Sequence, residues 1–177
     1  MADRKTNKKF EKQEREREYD QKMVDLARVT RVMAGGKRMS FRACVVIGNR
    51  NGRVSYGVAK GPDVQVSIGK AVKIAEHNWL NVKLTSDGTI PHIVDMKFKS
   101  AHILLKPAPP GTGVKAGGAV RIVLDMAGVK NVVAKQLGAD NKINNVKAAY
   151  TALQSLPKMK EDQSPTKEAN AKPQAAS

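Results

Sequence analysis

RVTRVMAGGKRMSFRACVVIGNRNGRVSYGVAK, residues 28–60, is the stretch that decides the fold. Apolar and polar residues alternate in three short blocks, and breaks at residues 35–38 and 49–52 separate the blocks, so the stretch predicts a three-stranded antiparallel meander. The middle block has two faces, with Phe41, Ala43, Val45 and Ile47 on one and Ser40, Arg42 and Cys44 on the other. This alternation is typical of a sheet that is packed on one side only.

Both predicted turns are basic and contain glycine. Asn51-Gly52 supplies the positive φ angles of a tight hairpin, and Gly35-Gly36 lets the backbone approach a partner without an intervening Cβ. Lys37 and Arg38 follow the glycine pair directly. A glycine tip followed by two cations suits the phosphate backbone of a nucleic acid, whereas the plainer interpretation is a hairpin tip that faces solvent.

The positive charge is concentrated in the middle of the chain. The 177 residues carry a formal net charge of +16, and residues 23–156 hold 20 of the 32 lysines and arginines but only 7 of the 16 aspartates and glutamates. A compact region with so much self-repulsion usually has a polyanion to neutralise it. Nucleic acid is therefore the first candidate partner.

Membrane and redox roles find no support in the sequence. No apolar run has the length of a membrane span, and the first residues, MADRKTNKKF, lack the apolar core of a secretory signal. We therefore expect a soluble, cytoplasmic protein without a membrane partner. The one cysteine, Cys44, can form neither an intrachain disulfide nor a cysteine zinc cluster, and we interpret it as a small packing residue.

A helix is predicted behind the meander, over residues 63–80. Its apolar residues recur at spacings of three and four, namely Val64, Ile68, Ala71, Val72, Ala75 and Trp79. Lys70 and Lys73 lie on the opposite side, where they face either solvent or RNA. The order strand, strand, strand, helix resembles a double-stranded RNA-binding module. With only seven Phe, Tyr and Trp residues in the chain, the sequence predicts no stacking platform for single-stranded RNA.

The predicted fold class is α+β, with two folded units between two tails. The second unit reads as β-β-α-β-α, with strands at 89–98, 101–106 and 129–137, a helix closed by Gly128 and a helix at 141–156. We place a charged arm at residues 1–22, a double-stranded-RNA-binding-like β-β-β-α domain at 23–86, a C-terminal α/β domain at 87–156 and a disordered tail at 157–177.

The loop Gly111–Gly118 is the one stretch that could pass for a nucleotide site, because it leads into a helix N-terminus. Its glycine spacing fits neither the dinucleotide fingerprint nor a P-loop, so an RNA phosphate near Lys115 and Arg121 is favoured over a mononucleotide or a plain connection. The three histidines have no metal-ligand spacing, and no nucleophilic serine stands between glycines. We therefore expect a binding protein, with no enzymatic activity, metal or cofactor.

Two sets of motifs resemble a known family, bacterial-type ribosomal protein number five of the small subunit. The first domain is similar to that family in Arg28-Val29-Thr30-Arg31, in Gly35-Gly36-Lys37-Arg38-x-Ser40-Phe41 and in the run from Val46 to Val54. The second domain is similar in Pro107-Ala108, in Gly111-Thr112-Gly113 and in Ala116-Gly117-Gly118-Ala119-x-Arg121, followed by Ala127-Gly128-Val129 and Val133-Ala134-Lys135. The resemblance covers residues 22–156 in order and leaves both tails out.

The resemblance implies a place on the back of the small ribosomal subunit, between its body and head. It implies contacts with the 16S-type rRNA, with ribosomal proteins number four and number eight, and with mRNA near the entry channel. The hairpin from Arg28 to Arg38 would enter rRNA near the decoding region, at a loop linked in the family to the spectinomycin response. The interface with protein number four is linked in the family to translational accuracy.

The sequence thus predicts a structural rRNA-binding protein. The candidate rRNA-binding residues are cations and glycines in the predicted turns, helix and loop: Arg28, Arg31, Gly35, Gly36, Lys37, Arg38, Arg42, Arg50, Arg53, Lys60, Lys70, Lys73, Lys115, Gly117, Gly118 and Arg121. Two alternatives stay open on the residues alone. One is a nucleotide-binding phosphotransferase that uses the Gly111–Gly118 loop, and the other is a free-standing regulator that binds duplex RNA.

Overall fold

A computed structural model describes residues 19–156. The predicted arm, residues 1–22, overlaps this range only at residues 19–22, and the predicted tail, residues 157–177, lies outside it. The strands are β1 (Asp20–Met33), β2 (Gly36–Gly48), β3 (Arg53–Gly61), β4 (Leu80–Asn81), β5 (Val94–Phe98), β6 (Ala101–Pro107), β7 (Val114–Lys115) and β8 (Val132–Gln136). The helices are α1 (Val64–Glu76), α2 (Gly118–Ala127) and α3 (Lys142–Ser155). The α+β class and the order of the two units are confirmed.

The first sheet is the predicted meander with one short strand added, in the order β1-β2-β3-β4. β1 and β2 pair over almost their whole lengths, with a bulge between Met23 and Asp25, and both predicted turns are present. β1 begins at Asp20, so residues 20–22, which we had assigned to the arm, belong to the sheet. β4 pairs with only two residues of β3, Arg53 and Val54.

The prediction that this sheet packs on one side only is wrong. Val45 and Ile47 pack against Ala71, Val72 and Ala75 of α1, as the alternation of β2 predicts. Cys44 and Val46, on the opposite face, belong to a larger apolar cluster that also contains residues of α2 and α3. The predicted polar face of β2 is therefore covered by the second unit, and a pattern confined to β2 could not reveal that cover.

Helix α1 is shorter than predicted, because it ends at Glu76 and not at residue 80. His77 is its C-cap, and Trp79 lies beyond the helix, in edge-to-face contact with the ring of Tyr19. Ser67, which the apolar pattern missed, is fully buried on the sheet-facing side. Its hydroxyl donates to the backbone oxygens of Asp63 and Phe41, so the buried polar group is satisfied.

The second unit is a four-stranded sheet in the order β5-β6-β8-β7, with α2 and α3 on one face. The strand predicted at 89–98 covers only Val94–Phe98, and the one at 129–137 only Val132–Gln136. The loop before α2 contains a strand that the sequence did not indicate, β7, which pairs in parallel with β8. Gly128 closes α2 in the left-handed conformation, as predicted.

The two units share one core. The larger buried cluster crosses the boundary predicted at residues 86/87, since it contains Cys44, Val46 and Val54 of the first sheet together with most buried residues of the second unit. No helix within residues 19–156 is both long and apolar enough to cross a membrane.

Candidate RNA interface

The β1–β2 hairpin extends beyond the rest of the first sheet. β3 pairs with β2 only from Phe41 onward, so the ribbon from Arg28 to Ser40 consists of two strands. Its tip residues Gly35 and Gly36 have φ values of 86° and 154°, and a Cβ on either would meet nothing within 4 Å. A two-stranded hairpin is at best marginally stable by itself in water, so a projecting ribbon of this kind needs a partner to hold its shape.

Two arginines stand directly opposite each other in this ribbon. Arg31 of β1 pairs with Arg38 of β2, so both side chains lie on one face of the hairpin, and both residues are exposed. Like charges directly opposite across a strand pair are destabilising. Residues 26–41 contain no aspartate or glutamate to separate the two charges, and an external anion would turn this repulsion into binding energy.

Cations also lie on the other face of the ribbon. Arg28 pairs with Phe41, and Lys37 pairs with Val32, so both cations share the face opposite Arg31 and Arg38. Val32 on this face has 74% of its surface exposed, which is the highest value among the large apolar side chains of the described residues. A ribbon with cations on both faces suits a groove with phosphates on both walls better than a flat surface.

The backbone of the second predicted basic turn is docked against the end of α2. The Arg50 backbone N–H donates to the carbonyl of Met126 at 3.1 Å, and the Gly52 N–H donates to that of Ala127 at 2.9 Å. The β2–β3 turn thus satisfies two carbonyl groups at the C-terminus of α2, which the helix itself leaves free. A Cβ on Gly128 would stand 2.0 Å from the Arg50 carbonyl oxygen, so the contact requires glycine there.

Three of the predicted arginines make contacts within the chain. The Arg42 guanidinium lies 3.6 Å from the Asp25 carboxylate, and Arg50 Nε lies 2.9 Å from that of Asp20. The Arg53 guanidinium stands over the indole ring of Trp79, 4.9 Å from its centroid. The structure does not bring these three side chains together with the ribbon tip.

The other candidate cations of the first unit lie on opposite sides of its sheet. Lys60 pairs with Arg42, so it lies on the same face of the sheet as Cys44 and Val46, which the second unit covers. Lys70 and Lys73 are exposed on α1, which covers the opposite face. A single RNA helix that lies on the ribbon would therefore contact either Lys60 or the pair Lys70 and Lys73, because they lie on opposite sides of the sheet.

Hydrogen bonds to the side chain of Asn131 close the Gly111–Gly118 loop. The Asn131 side-chain oxygen accepts from the N–H groups of Gly111 and Gly113, at 3.1 and 3.2 Å. Gly117 is the N-cap of α2, and a Cβ there would stand 2.7 Å from the Gln136 side chain. These glycines serve the packing of the loop. In a loop that binds phosphate, the backbone N–H groups point at the ligand, whereas here those of Gly111 and Gly113 are bonded to Asn131.

Cations around this loop are exposed. Lys115 lies on β7, Gly118 has open space where a Cβ would be, and Arg121 is one turn into α2, with Nε 3.9 Å from the Asp125 carboxylate. That distance is at the limit of an ion pair, and the arginine side chain is 61% exposed, so its charge faces solvent.

A second group of lysines lies on the open face of the second sheet, and of these the sequence analysis identified only Lys115 as a candidate. The helices cover the face that carries Ile103 and Leu105, so the residues that alternate with these point away from the helices. That outer face carries Lys97, Lys106, Lys115 and Lys135, with Leu104 and Val133 half-buried between them. Period-two alternation within β5, β6 and β8 was the signal that could have predicted this lysine-bearing face.

The histidine and cysteine side chains of the described residues differ in their surroundings and form no metal-binding group. Within 19–156 there is no group of three or more His, Cys, Asp and Glu side chains that could hold a metal ion. The His102 ring nitrogen Nε2 contacts the Asp95 carboxylate, while His77 and His92 are exposed. Cys44 is fully buried, and burial, together with the nearby Asp25 carboxylate, raises the pKa of its thiol to about 11. A thiol with that pKa stays protonated near neutral pH and is a poor nucleophile.

Comparison with known proteins gives matches to both units. The family model "Ribosomal protein S5, N-terminal domain" matches residues 19–83, and "Ribosomal protein S5, C-terminal domain" matches residues 96–165. The small ribosomal subunit protein uS5 of Synechococcus elongatus is 49% identical over 143 residues, which are 81% of this chain and 79% of that protein. Protein uS5c of Guillardia theta is 44% identical over 153 residues, which cover 86% and 89% of the two chains.

Proposed function

The chain belongs to the ribosomal protein S5 family, and from this premise we propose that its β1–β2 ribbon docks into the rRNA of the small subunit. Proteins of this family are structural constituents of the small ribosomal subunit and not enzymes, so rRNA and other ribosomal proteins are the partners of this chain. A phosphotransferase role for the Gly111–Gly118 loop is thereby set aside.

The observation that carries the proposal is the opposed pair Arg31 and Arg38 on a projecting ribbon without carboxylates. Phosphate groups on one side of the ribbon would neutralise this pair, while Arg28 and Lys37 would meet phosphates on the other side. Gly35 and Gly36 keep the tip free of side chains, which lets the backbone approach the RNA closely. In this proposal the ribbon fixes the position of the protein through phosphates and does not read base sequence.

The finer placement follows from the family resemblance. We place the protein between the body and head of the subunit, beside ribosomal proteins number four and number eight and near the mRNA entry channel, where it supports translational accuracy. The open face of the second sheet supports a protein neighbour there, because half-buried Leu104 and Val133 between lysines match the apolar centre and polar rim of an interface. The exposed Lys97 and Lys106 at its margin would remain available to a polyanion such as mRNA.

Binding of the full chain to a helical rRNA fragment tests the docking of the ribbon. Arg31→Gln with Arg38→Gln should weaken binding and lower the salt dependence, because the magnitude of the slope of log K against log salt falls by about 0.9 for each phosphate contact that is lost. Lys99→Gln with Lys130→Gln removes the same charge from positions outside the ribbon and is the matched control. Equal losses in both double variants would show that net charge, and not the ribbon, determines binding.

A further inference from the structure

A cavity opens at the junction of the two units, beside the end of α1. It has a volume of about 350 Å³, and its walls include Tyr56 and Gly57 of β3, Ile74 and Asn78 at the end of α1, and Lys147 and Tyr150 of α3. None of the predicted rRNA-binding residues lines it. The volume is at the small end of the range for ligand pockets, so the cavity suits one compact group and not a helix or a long strand.

Two tyrosines from different units form an aromatic pair in this cavity. The ring centroids of Tyr56 and Tyr150 are 4.9 Å apart at an interplanar angle of 72°, and both residues are half-buried. The Tyr150 hydroxyl donates to the backbone oxygen of Asn78 at 3.0 Å, which fixes its ring against the end of α1. Sequence reading found no stacking platform because these tyrosines lie on elements that only the packing of the two units brings together.

The edge of β3 supplies polar groups beside the rings. β4 pairs with β3 only at Arg53 and Val54, and no other strand in residues 19–156 pairs with β3 on that side. Backbone N–H and C=O groups next to Gly57 can therefore bond a ligand, as the unpaired groups of an edge strand do. Gly57 itself is buried, and its missing side chain makes room for α1, since a Cβ there would stand 1.9 Å from the Ala71 carbonyl oxygen.

Lys147 gives the cavity a positive charge. Lys147 lines the cavity, its ammonium group lies 5.8 Å from the centroid of the Phe98 ring, and none of the ion pairs among residues 19–156 involves it. A ligand that occupies the cavity and also carries an anionic group would be stabilised by this ammonium group.

We propose that this cavity binds one unpaired nucleotide of an RNA, with the base against the rings of Tyr56 and Tyr150 and its phosphate near Lys147. Unstacked bases of single-stranded segments bind in this way, through an aromatic face, a polar edge and a nearby cation. With a volume of about 350 Å³, the cavity is too small for an added peptide strand. The inference rests on the proposed function, since it assumes that the partner is RNA.

The test is binding of a fluorescein-labelled oligouridylate, which has no stable secondary structure, to the full chain at 0.2 M KCl. Ile74→Trp fills the cavity from its rim, and we expect it to weaken binding about tenfold, as the loss of one stacked base does. Val66→Trp is the matched control, because Val66 and Ile74 lie on the same helix and are each 43% exposed, but Val66 does not line the cavity. Tyr150→Leu should weaken binding by a similar factor, and Tyr150→Phe, which keeps the ring, should stay within twofold of the parent.

Ultraviolet crosslinking identifies the contact directly. The oligonucleotide should crosslink to the peptides that contain Tyr56 or Tyr150. Crosslinks confined to other peptides, or equal affinities for the Ile74→Trp and Val66→Trp variants, would overturn the inference. Displacement of the label by an extended peptide and not by a nucleotide would assign the cavity to a protein ligand instead. The ribbon variants with a helical rRNA fragment give an independent result, so the cavity proposal can fail while the proposed function stands.

Discussion

Reversing one charge in the β1–β2 ribbon should move stability and RNA affinity in opposite directions. Arg31 and Arg38 face each other across the hairpin, and residues 26–41 hold no carboxylate near them. Arg38→Glu turns this repulsive pair into an attractive one. The same substitution removes a cation from the surface that we propose for rRNA.

The free energy of unfolding should rise slightly. Opposite charges across a strand pair contribute about 0.2–1 kcal/mol, and like charges cost a similar amount, so the exchange should stabilise the fold by about 0.5–1 kcal/mol at low salt. Both side chains are exposed, and the gain should shrink at 1 M salt, where the Debye length is about 3 Å. A structural role for the Arg38 guanidinium would instead produce a loss of stability.

The affinity for rRNA should fall at the same time. Loss of one phosphate contact reduces the magnitude of the slope of log K against log salt by about 0.9. The new carboxylate also repels neighbouring phosphates, so Arg38→Glu should bind more weakly than the neutral Arg38→Gln.

Two measurements on the full chain check this pair of effects. Unfolding in urea, which is uncharged, followed by the fluorescence of Trp79, gives the stability at low and high salt. Anisotropy of a labelled rRNA helix between about 50 and 300 mM KCl gives the affinity and its slope. Lys130→Glu is the charge-matched control outside the ribbon. Reduced stability together with unchanged affinity would refute the reasoning.

Three further predictions concern the junction of the two units. Asp25→Asn should lower the free energy of unfolding by about 1 kcal/mol, because it leaves the half-buried guanidinium of Arg42 and the ammonium group of Lys142 without their shared carboxylate. An unchanged urea midpoint would contradict this. Gly128→Ala should lower the free energy of unfolding by at least about 3 kcal/mol, since φ is 83° and the new Cβ would stand 2.0 Å from a backbone oxygen of the β2–β3 turn. A thermal unfolding midpoint close to that of the parent would show that the turn moves away freely. The pKa of the Cys44 thiol is raised in the folded protein to about 11 from 9.0, so the folded state holds the proton more tightly and the free energy of unfolding should fall as pH rises from about 9 towards 11. Cys44→Ala should remove this part of the pH dependence. Equal slopes of stability against pH in parent and variant would rule out a contribution from the thiol.

The order of elements could be predicted because it depends on local patterns. Alternation and the glycine-containing turns located β1, β2 and β3, the spacing of apolar residues located α1 and α3, and an apolar run between glycines located α2. The ends of elements were less predictable. Helix α1 stops at Glu76 because Trp79 packs against Tyr19 and Leu80 begins a strand, and neither contact is visible in the helical periodicity.

Of the candidate site residues, the structure brings together those that are adjacent in sequence, at the ribbon tip. The ribbon tip follows from one hairpin, so its cations could be identified without the structure. The arginines of the second turn look equivalent in the sequence, but Arg50 and Arg53 are held by Asp20 and Trp79, which are distant along the chain. Composition counts charges and cannot distinguish cations that have internal partners from cations that do not.

The contacts between the units explain how so exposed a ribbon can have a defined direction. At the base of the ribbon, Asp25 of β1 lies 3.6 Å from both Arg42 of β2 and Lys142 of α3, and this ties the hairpin to the second unit. At the other end of β2, the β2–β3 turn binds the last carbonyl groups of α2. Between these points Cys44 and Val46 are buried against the second unit. Because β2 is fixed from Arg42 to its C-terminal end and along one face, the second unit sets the angle at which the ribbon leaves the protein, and docking into RNA then requires less ordering than a free hairpin would.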